Sequence, residues 1–350
     1  MRQEGKYALY NFITKKSRQA IPIASLLCEE MDSLNIFKLK KSGYFVKTHH
    51  LLKRITIYVI LARPQQYVKN IFIWLPLFFG YKLWDWNIVA NTFWAFISFC
   101  LLASSIYVIN DIVDVAEDRK HPTKRNRPLA SGKLDTSLAI LFCVLLLEIS
   151  LVLASTLHNQ RFILILIGYF FLNLAYSFWL KHIALIDVIS IAVGFVLRIT
   201  AGGIIASVSI SHWIITMTFL LALFLAFAKR RDDCILSANG HDTRKCINGY
   251  SFEFVSISMA VMASVIIVAY LLYTMSPETI QKHGTDQLYL TGFWVILGLL
   301  RYLQITFVEE RTGSPTHILL KDFFLQAIIF LWLATFYLLF YFNNNLVQKN

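Results

Sequence analysis

The 350 residues are 57% apolar even before glycine is counted, only 15% are charged, and basic residues exceed acidic ones by 12. Soluble domains carry roughly 25% charge and roughly 45–50% apolar residues, so a soluble globular enzyme and a disordered chain are both excluded. In a soluble protein the positive excess would suggest nucleic acid. In a chain this apolar it points instead to loops that meet anionic headgroups or phosphorylated substrates, and no nucleic-acid partner is expected.

Residues 1–50 are mixed and basic, and are expected to form a cytoplasmic arm. Over 51–66 the pattern turns amphipathic, with Lys53, Arg54 and Arg63 set among Ile55, Ile57, Val59 and Ile60. That spacing predicts a helix lying in the interface. Nine apolar stretches follow that approach the ~17–25 residues a bilayer requires: 67–83, 88–109, 136–157, 162–180, 184–207, 212–228, 251–275, 287–308 and 322–342. The expectation is an all-α integral membrane protein with a transmembrane catalytic domain over 67–342 and a short tail over 343–350, because only helices or closed barrels satisfy backbone groups in lipid. Of the Lys and Arg residues, 26 fall before the first span or in even-numbered loops, with Lys69 at the start of that span, and 4 fall in odd-numbered loops or the tail when Lys82 at the end of the first span is counted there; short loops alone give 14 against 3. The positive-inside rule then places the N-terminus and even-numbered loops in the cytoplasm. The five cysteines form no CxxC pair and read as packing residues.

The most informative loop runs from Asn110 to Pro128. Continued as a helix at ~100° per residue, it sets Asn110, Asp114, Asp118 and Asp111 within about a third of a turn. Clustered carboxylates repel unless a cation holds them, and an oxygen-only face of this kind suits Mg²⁺, which also engages substrate phosphates. Arg119, Lys124, Arg125 and Arg127 follow at once, and guanidinium forks grip phosphate oxygens. A solvated, positive-inside loop is the plain alternative for the basic residues, but not for the acidic face at a membrane edge.

The stretch N-D-x-x-D-x-x-x-D followed by R-K-H-P-x-K-x-x-R-P resembles the first Asp-rich motif of the UbiA-like intramembrane prenyltransferase superfamily. Within it, the chain is most similar to decaprenyl-phosphate phosphoribosyltransferases. Ala62-Arg63-Pro64-Gln65 with Val68-Lys69-Asn70 resembles that group's entry to the first span. Tyr176-Ser177 with Leu180-Lys181-His182 and Asp187 resembles its second motif, continued by Gly194 to Arg198. Lys229-Arg230-Arg231-Asp232-Asp233, Arg301-Tyr302 and Gly313-Ser314-Pro315 with Asp322 complete the set, over roughly residues 60–340. The resemblance implies a UbiA-like bundle with a cytoplasm-facing site in the inner membrane. It also implies a reaction: phosphoribosyl transfer from phosphoribosyl pyrophosphate to a polyprenyl phosphate, with release of pyrophosphate. On it, Asn110, Asp111, Asp114 and Asp118 hold Mg²⁺, with Asp111, Asp114 and Lys181 catalytic. Lys69, Arg119, Lys124, Arg125, Arg127, Tyr176, Asp187, Arg198, Lys229 and Arg230 then bind substrate phosphates.

Several of these residues also carry a structural reading. Tyr176 suits an interfacial aromatic belt and Lys181 a positive-inside lysine; sharing one site would require a helix break between them. Asp187 suits a helix cap as well as a site. Arg198 falls near mid-span, where arginine is costly and needs a partner, either substrate or Glu148. Gly202-Gly203 allows close helix packing or room for an isoprenoid. Two other activities are open: a prenyltransferase acting on an aromatic acceptor, and a non-catalytic lipid transporter or scaffold. The loop after the sixth span lacks a D-x-x-x-D spacing, which disfavours the first. The polar residues gather at one interface rather than the midplane, which disfavours the second. Nothing in the pattern assigns an oligomeric state.

Overall fold

The structure is a computed structural model that describes residues 54–121, 123–238, 249–309 and 315–347, with side chains described as far as 339. The predicted arm over 1–50 and the end of the tail lie outside the described residues. From Ile57 onward the chain forms one compact unit, and no strand occurs among the described residues.

Among the described residues, eleven α-helices from Trp86 onward organise it. They are α1 (Trp86–Val113), α2 (Val115–Lys120), α3 (Thr136–Thr156), α4 (Gln160–Phe178), α5 (Ile186–Ile205), α6 (His212–Ala238), α7 (Phe252–Met275), α8 (Pro277–His283), α9 (Gly292–Phe307), α10 (Pro315–Lys321) and α11 (Phe323–Val347). Several start on a side-chain cap, which satisfies orphan N–H groups. Asp85 accepts from the N–H groups of Asn87 and Ile88, Asn159 from Phe162, and Ser251 from Phe254. Asp322 marks an 83° bend between α10 and α11, accepting from the Leu325 N–H at 2.8 Å.

Among the described residues, seven helices are long and apolar enough to cross a membrane, or eight if the bent α10–α11 pair counts as one span. The first expected span, 67–83, is not an α-helical span. The chain there forms a 3-10 helix over Pro64–Trp74 and a single α-turn over Leu75–Phe79. Proline at the start of each piece supplies no N–H and suits a helix's first turn rather than its interior. At ~2.0 Å per residue the eleven residues of 3-10 helix extend about 22 Å, further than the same length of α-helix. Gly202 of α5 admits this strand of chain: a Cβ there would stand 2.1 Å from the Ile73 carbonyl oxygen. Gly203 is filled in the same way by Ile210 and Val208. The glycine pair therefore serves close packing.

Two apolar clusters hold the bundle. One joins Phe99, Leu102 and Ile106 of α1 to Phe162, Leu166 and Tyr169 of α4 and Ala201 of α5. The other joins Val188, Phe224, Val255, Met259, Leu299 and Ile305 across α5, α6, α7 and α9. Outward faces carry large bare apolar groups, such as Leu141 at 57%, Val268 at 56% and Phe330 at 69% exposure. Such a surface is stable only against lipid or other apolar groups.

A candidate phosphate and metal site at one end of the bundle

The ends of α1, α4 and α6 and the start of α5 bring the sequence motifs together. Helix α1 runs as far as Val113, bends at Asp114 (φ −92°, ψ 5°), and resumes as α2, so the acidic face is nearly the predicted helical continuation. Asp111 and Asp118 are buried, at 2% and 3% exposure. Arg127, returning after the 3-10 turn Lys124–Asn126, donates from one guanidinium nitrogen to both, at 3.1 Å to Asp111 and 2.5 Å to Asp118. A second guanidinium, from Arg63, also pairs with Asp111 and lies 5.2 Å over the Tyr107 ring. Arg63 holds a left-handed backbone (φ 54°), a conformation costly for a branched-chain-sized residue.

Helix α4 ends at Phe178, and Trp179 leads into a 3-10 turn over Leu180–His182. This is the break that lets Lys181 turn toward the site. Its buried ammonium pairs with Asp114. Each of the three carboxylates is therefore met by at least one cation from another segment. Removing one partner of such buried pairs costs about 3–5 kcal/mol, because the other charge is left uncompensated. Asn110 is half-buried on the same helix end.

A second cluster sits across the loop from the first. Arg230 is fully buried, pairing with Asp187 at 2.6 Å and with Asp233. The Tyr250 hydroxyl donates to Asp187 at 2.5 Å and accepts from the Leu185 N–H at 2.7 Å. Burial first, and then the bond to Asp187, push the Tyr250 phenol above its ordinary pKa, so it stays a donor. Asp187 is thus not the helix cap; Leu185 occupies that position. His121 lies within electrostatic reach of both Asp118 and Asp233, which links the two clusters. Burial, and then Lys124, hold its imidazole below the usual histidine pKa.

A third group lies deeper. Arg198 donates to Asn70 Oδ1 at 2.7 Å, the Tyr169 hydroxyl at 2.5 Å and the Gly194 carbonyl at 2.9 Å, with the Tyr169 and Phe195 rings about it. Lys69 lies within electrostatic reach of Arg198, Arg63 and Tyr176. The expected Arg198–Glu148 pair is overturned. Reciprocal hydroxyl-to-carbonyl bonds between Ser98 and Ser150, each 2.8 Å, fix the face that α3 turns to α1. Glu148, ~200° from Ser150 on a helix, is thereby directed outward and exposed.

The remaining candidates divide. Tyr176, Lys124 and Lys229 are half-buried at the same end. Arg119 and Arg125 are exposed on the loop surface; the Arg119 Nε donates to the Ala130 carbonyl at 3.3 Å. Arg301 is drawn into a separate network with Asp322 and Glu309, each at 2.6 Å. Sequence reasoning left Arg63, Asn70, Tyr169 and Tyr250 without a site role. Arg63 had a signal, being a cation directly before proline at the carboxylate end; the other three are ordinary span or loop residues until folded.

Asp111 and Asp118 already converge on one positive centre, and the donors are all hard oxygens, so the set fits a hard divalent cation. Among the described residues no three acidic, His or Cys side chains form a ready-made metal cage.

The profile of the UbiA prenyltransferase family matches residues 73–306, which include both clusters apart from Arg63. The chain belongs to the UbiA prenyltransferase family. It is therefore an enzyme of a membrane-embedded family rather than a scaffold. It is similar to the decaprenyl-phosphate phosphoribosyltransferase of Mycolicibacterium smegmatis, with 32% identity over 81% of this chain and 92% of that one. The enzyme of the same name from Corynebacterium glutamicum is 31% identical over 77% and 82%. Among solved structures, a UbiA homolog from Archaeoglobus fulgidus bound to GPP and Mg²⁺ shares the UbiA fold at TM-score 0.61 and 21% identity, covering 81% of this chain and 99% of that one.

Proposed function

We propose that this UbiA-family enzyme transfers the 5-phosphoribosyl group of phosphoribosyl pyrophosphate to a polyprenyl phosphate. The lipid phosphate oxygen forms a bond to C1 of the ribose as the C1–oxygen bond to pyrophosphate breaks. A phosphate oxygen is ionised near neutral pH, so no strong general base is needed. The difficult step is departure of pyrophosphate from an anomeric carbon, with oxocarbenium-like charge. The similarity to decaprenyl-phosphate phosphoribosyltransferases over most of both chains supports this substrate pair.

The observation that carries the reading is the matched set of buried carboxylates and cations at one end of the bundle. Asn110, Asp111, Asp114 and Asp118 would hold Mg²⁺ with water and substrate phosphate completing its shell. When bound, the ion neutralises charge on the leaving pyrophosphate. Arg63 and Arg127 are held by Asp111 with guanidinium groups at the same place, suited to grip phosphate oxygens. Lys181, aligned by Asp114, sets a further positive charge beside the departing group. Arg198, bonded to amide, phenol and carbonyl groups, and Lys69, within electrostatic reach of Arg198 and Arg63, suit the lipid phosphate. Lys124, Arg125, Arg119, Tyr176 and Lys229 line the approach, and the buried Arg230–Asp187 pair holds α5 to α6 behind it. The charge imbalance of the loops supports a cytoplasmic position for this end, and an inner membrane is the location the relatives suggest.

The test uses purified protein in nanodiscs with Mg²⁺, phosphoribosyl pyrophosphate and a polyprenyl phosphate. Pyrophosphate release and a phosphoribosylated lipid by mass spectrometry are expected, both abolished by EDTA. Prenyl transfer from a polyprenyl diphosphate to an aromatic acceptor, with no phosphoribosylated lipid, would overturn the reading.

A further inference from the structure

Leu185 holds a left-handed backbone (φ 66°) at the point where α5 begins. For leucine that conformation costs about 1–3 kcal/mol and persists only where the surroundings over-determine it. Three contacts meet there. The Leu185 N–H, which lies ahead of the helix's own hydrogen bonds, donates to the Tyr250 hydroxyl at 2.7 Å. That hydroxyl donates in turn to Asp187 Oδ1 at 2.5 Å, while Asp187 Oδ2 pairs with Arg230 at 2.6 Å. Beside them Gly249 lies so close to Ala184 that a Cβ on it would stand 2.5 Å from the Ala184 Cβ. A backbone N–H can only donate, so the phenol oxygen must accept from Leu185, and its own proton is left for Asp187. Phenylalanine could do neither.

Tyr250 is itself fixed from the other side. It is buried, it immediately precedes the Ser251 cap of α7, and its ring stacks on Phe254 with centroids 6.2 Å apart. Residues 249–250 therefore form a stop for the segment between α4 and α5, and that segment carries Lys181. The Ile183 N–H donates to the Leu180 carbonyl at 3.2 Å, closing the turn, and the Asp187 N–H donates to the Ile183 carbonyl at 3.1 Å. These two bonds tie the turn to the start of α5 across the left-handed residue. We infer that Tyr250 is a positioning residue: its hydroxyl holds Leu185 left-handed, and through the turn over Leu180–His182 this fixes the Lys181 ammonium against Asp114. Both oxygens of Asp187 are engaged by this arrangement and Arg230 is fully buried, so the two serve the same turn rather than a phosphate. The placement matters because a shift of about 1 Å in a catalytic group can cost about 10²-fold in rate. The coupling of Tyr250 to the turn is independent of the reaction; its effect on turnover rests on the role proposed above for Lys181.

The test compares Tyr250→Phe with Tyr270→Phe in the full chain in nanodiscs. Tyr270, near the far end of α7, likewise loses a buried hydroxyl with two partners, Thr291 and Trp332. Amide hydrogen exchange over residues 180–187, read by mass spectrometry, should accelerate at least about tenfold in Tyr250→Phe, the scale of one lost buried hydrogen bond. It should stay unchanged in Tyr270→Phe. The kcat for pyrophosphate release should fall about tenfold or more in Tyr250→Phe, with the KM for phosphoribosyl pyrophosphate within about threefold, as for a group that acts on the transition state. Tyr270→Phe should keep both constants. Should Tyr250→Phe fail to fold, Gly249→Ala keeps the hydroxyl and pushes on the same turn, and the same two changes are expected. Unchanged exchange over 180–187, faster exchange with unchanged kcat, or equal effects of Tyr250→Phe and Tyr270→Phe in both readouts would each overturn the inference. A parent chain that transfers no phosphoribosyl group would instead remove the proposed reaction, and the exchange comparison would still decide whether Tyr250 holds the turn.

Discussion

Asp111 accepts from two guanidinium groups that reach it from either side in the sequence, Arg63 and Arg127. An amide in its place keeps the shape and removes the charge that holds both. Asp111→Asn should lower turnover by about 10²-fold, the usual scale for removing one preorganised electrostatic group, measured as pyrophosphate release at saturating substrates. Arg63→Gln should cost about 10–100-fold, corresponding to one charged hydrogen bond of roughly 1.5–3 kcal/mol. Arg119→Gln, on the exposed loop, should change turnover by less than about threefold, since exposed charges contribute little. The acidic half of this site was legible because Asn110, Asp111, Asp114 and Asp118 lie on one local helical face. Its cationic half was legible only in part: Arg63 and Lys181 reach the carboxylates through a left-handed residue and a 3-10 turn, neither of which follows from helical periodicity. Arg198 had to have a buried partner, but which one depended on how two serines turned α3.

Among the elements, the departure from expectation is concentrated in the segment after Arg63. Its apolar content matched a span, but two prolines and the bare backbone of Gly202 select a narrower 3-10 helix pressed against α5. Gly202→Ala should therefore destabilise the bundle by about 1–3 kcal/mol or more, the scale of overpacking a core, since the clash is with backbone that has no rotamer to change. Gly168→Ala, with nothing within 4 Å, should not destabilise. Thermal unfolding of both in detergent distinguishes them. At the other end of the same segment, Tyr81 and the buried His283 of α8 share a hydrogen bond of 2.6 Å. Burial, and then Lys282, bring the His283 pKa down to about 4. The folded chain thus favours neutral His283, and this contribution is intact above the ordinary value of about 6.5. It should fade as pH falls from about 6.5 toward 4. Melting temperature followed across that window should fall more steeply for the parent than for His283→Gln; identical profiles would show that His283 does not contribute.

At the scale of the whole molecule, polarity is segregated along the bundle axis. One end gathers the Asp111–Asp118 cluster, Lys181, Arg230 and Asp187. The opposite ends of α4, α5 and α6 enclose a cleft of about 810 Å³ lined by residues such as Arg161, Thr200, Ile204 and Ile215. The lysines and arginines of the loops share that asymmetry, so orientation and chemistry are two consequences of one charge distribution. A phosphorylated sugar donor cannot cross the apolar interior unaided, so its site must open to the compartment that supplies it. Cysteines introduced at two exposed residues, Arg119→Cys and Arg161→Cys, read this out. A membrane-impermeant maleimide applied to spheroplasts should label Arg161→Cys directly. It should label Arg119→Cys above the parent only after the membrane is opened. The reverse order would place the carboxylate cluster outside and remove the cytoplasmic donor pool from the proposed reaction.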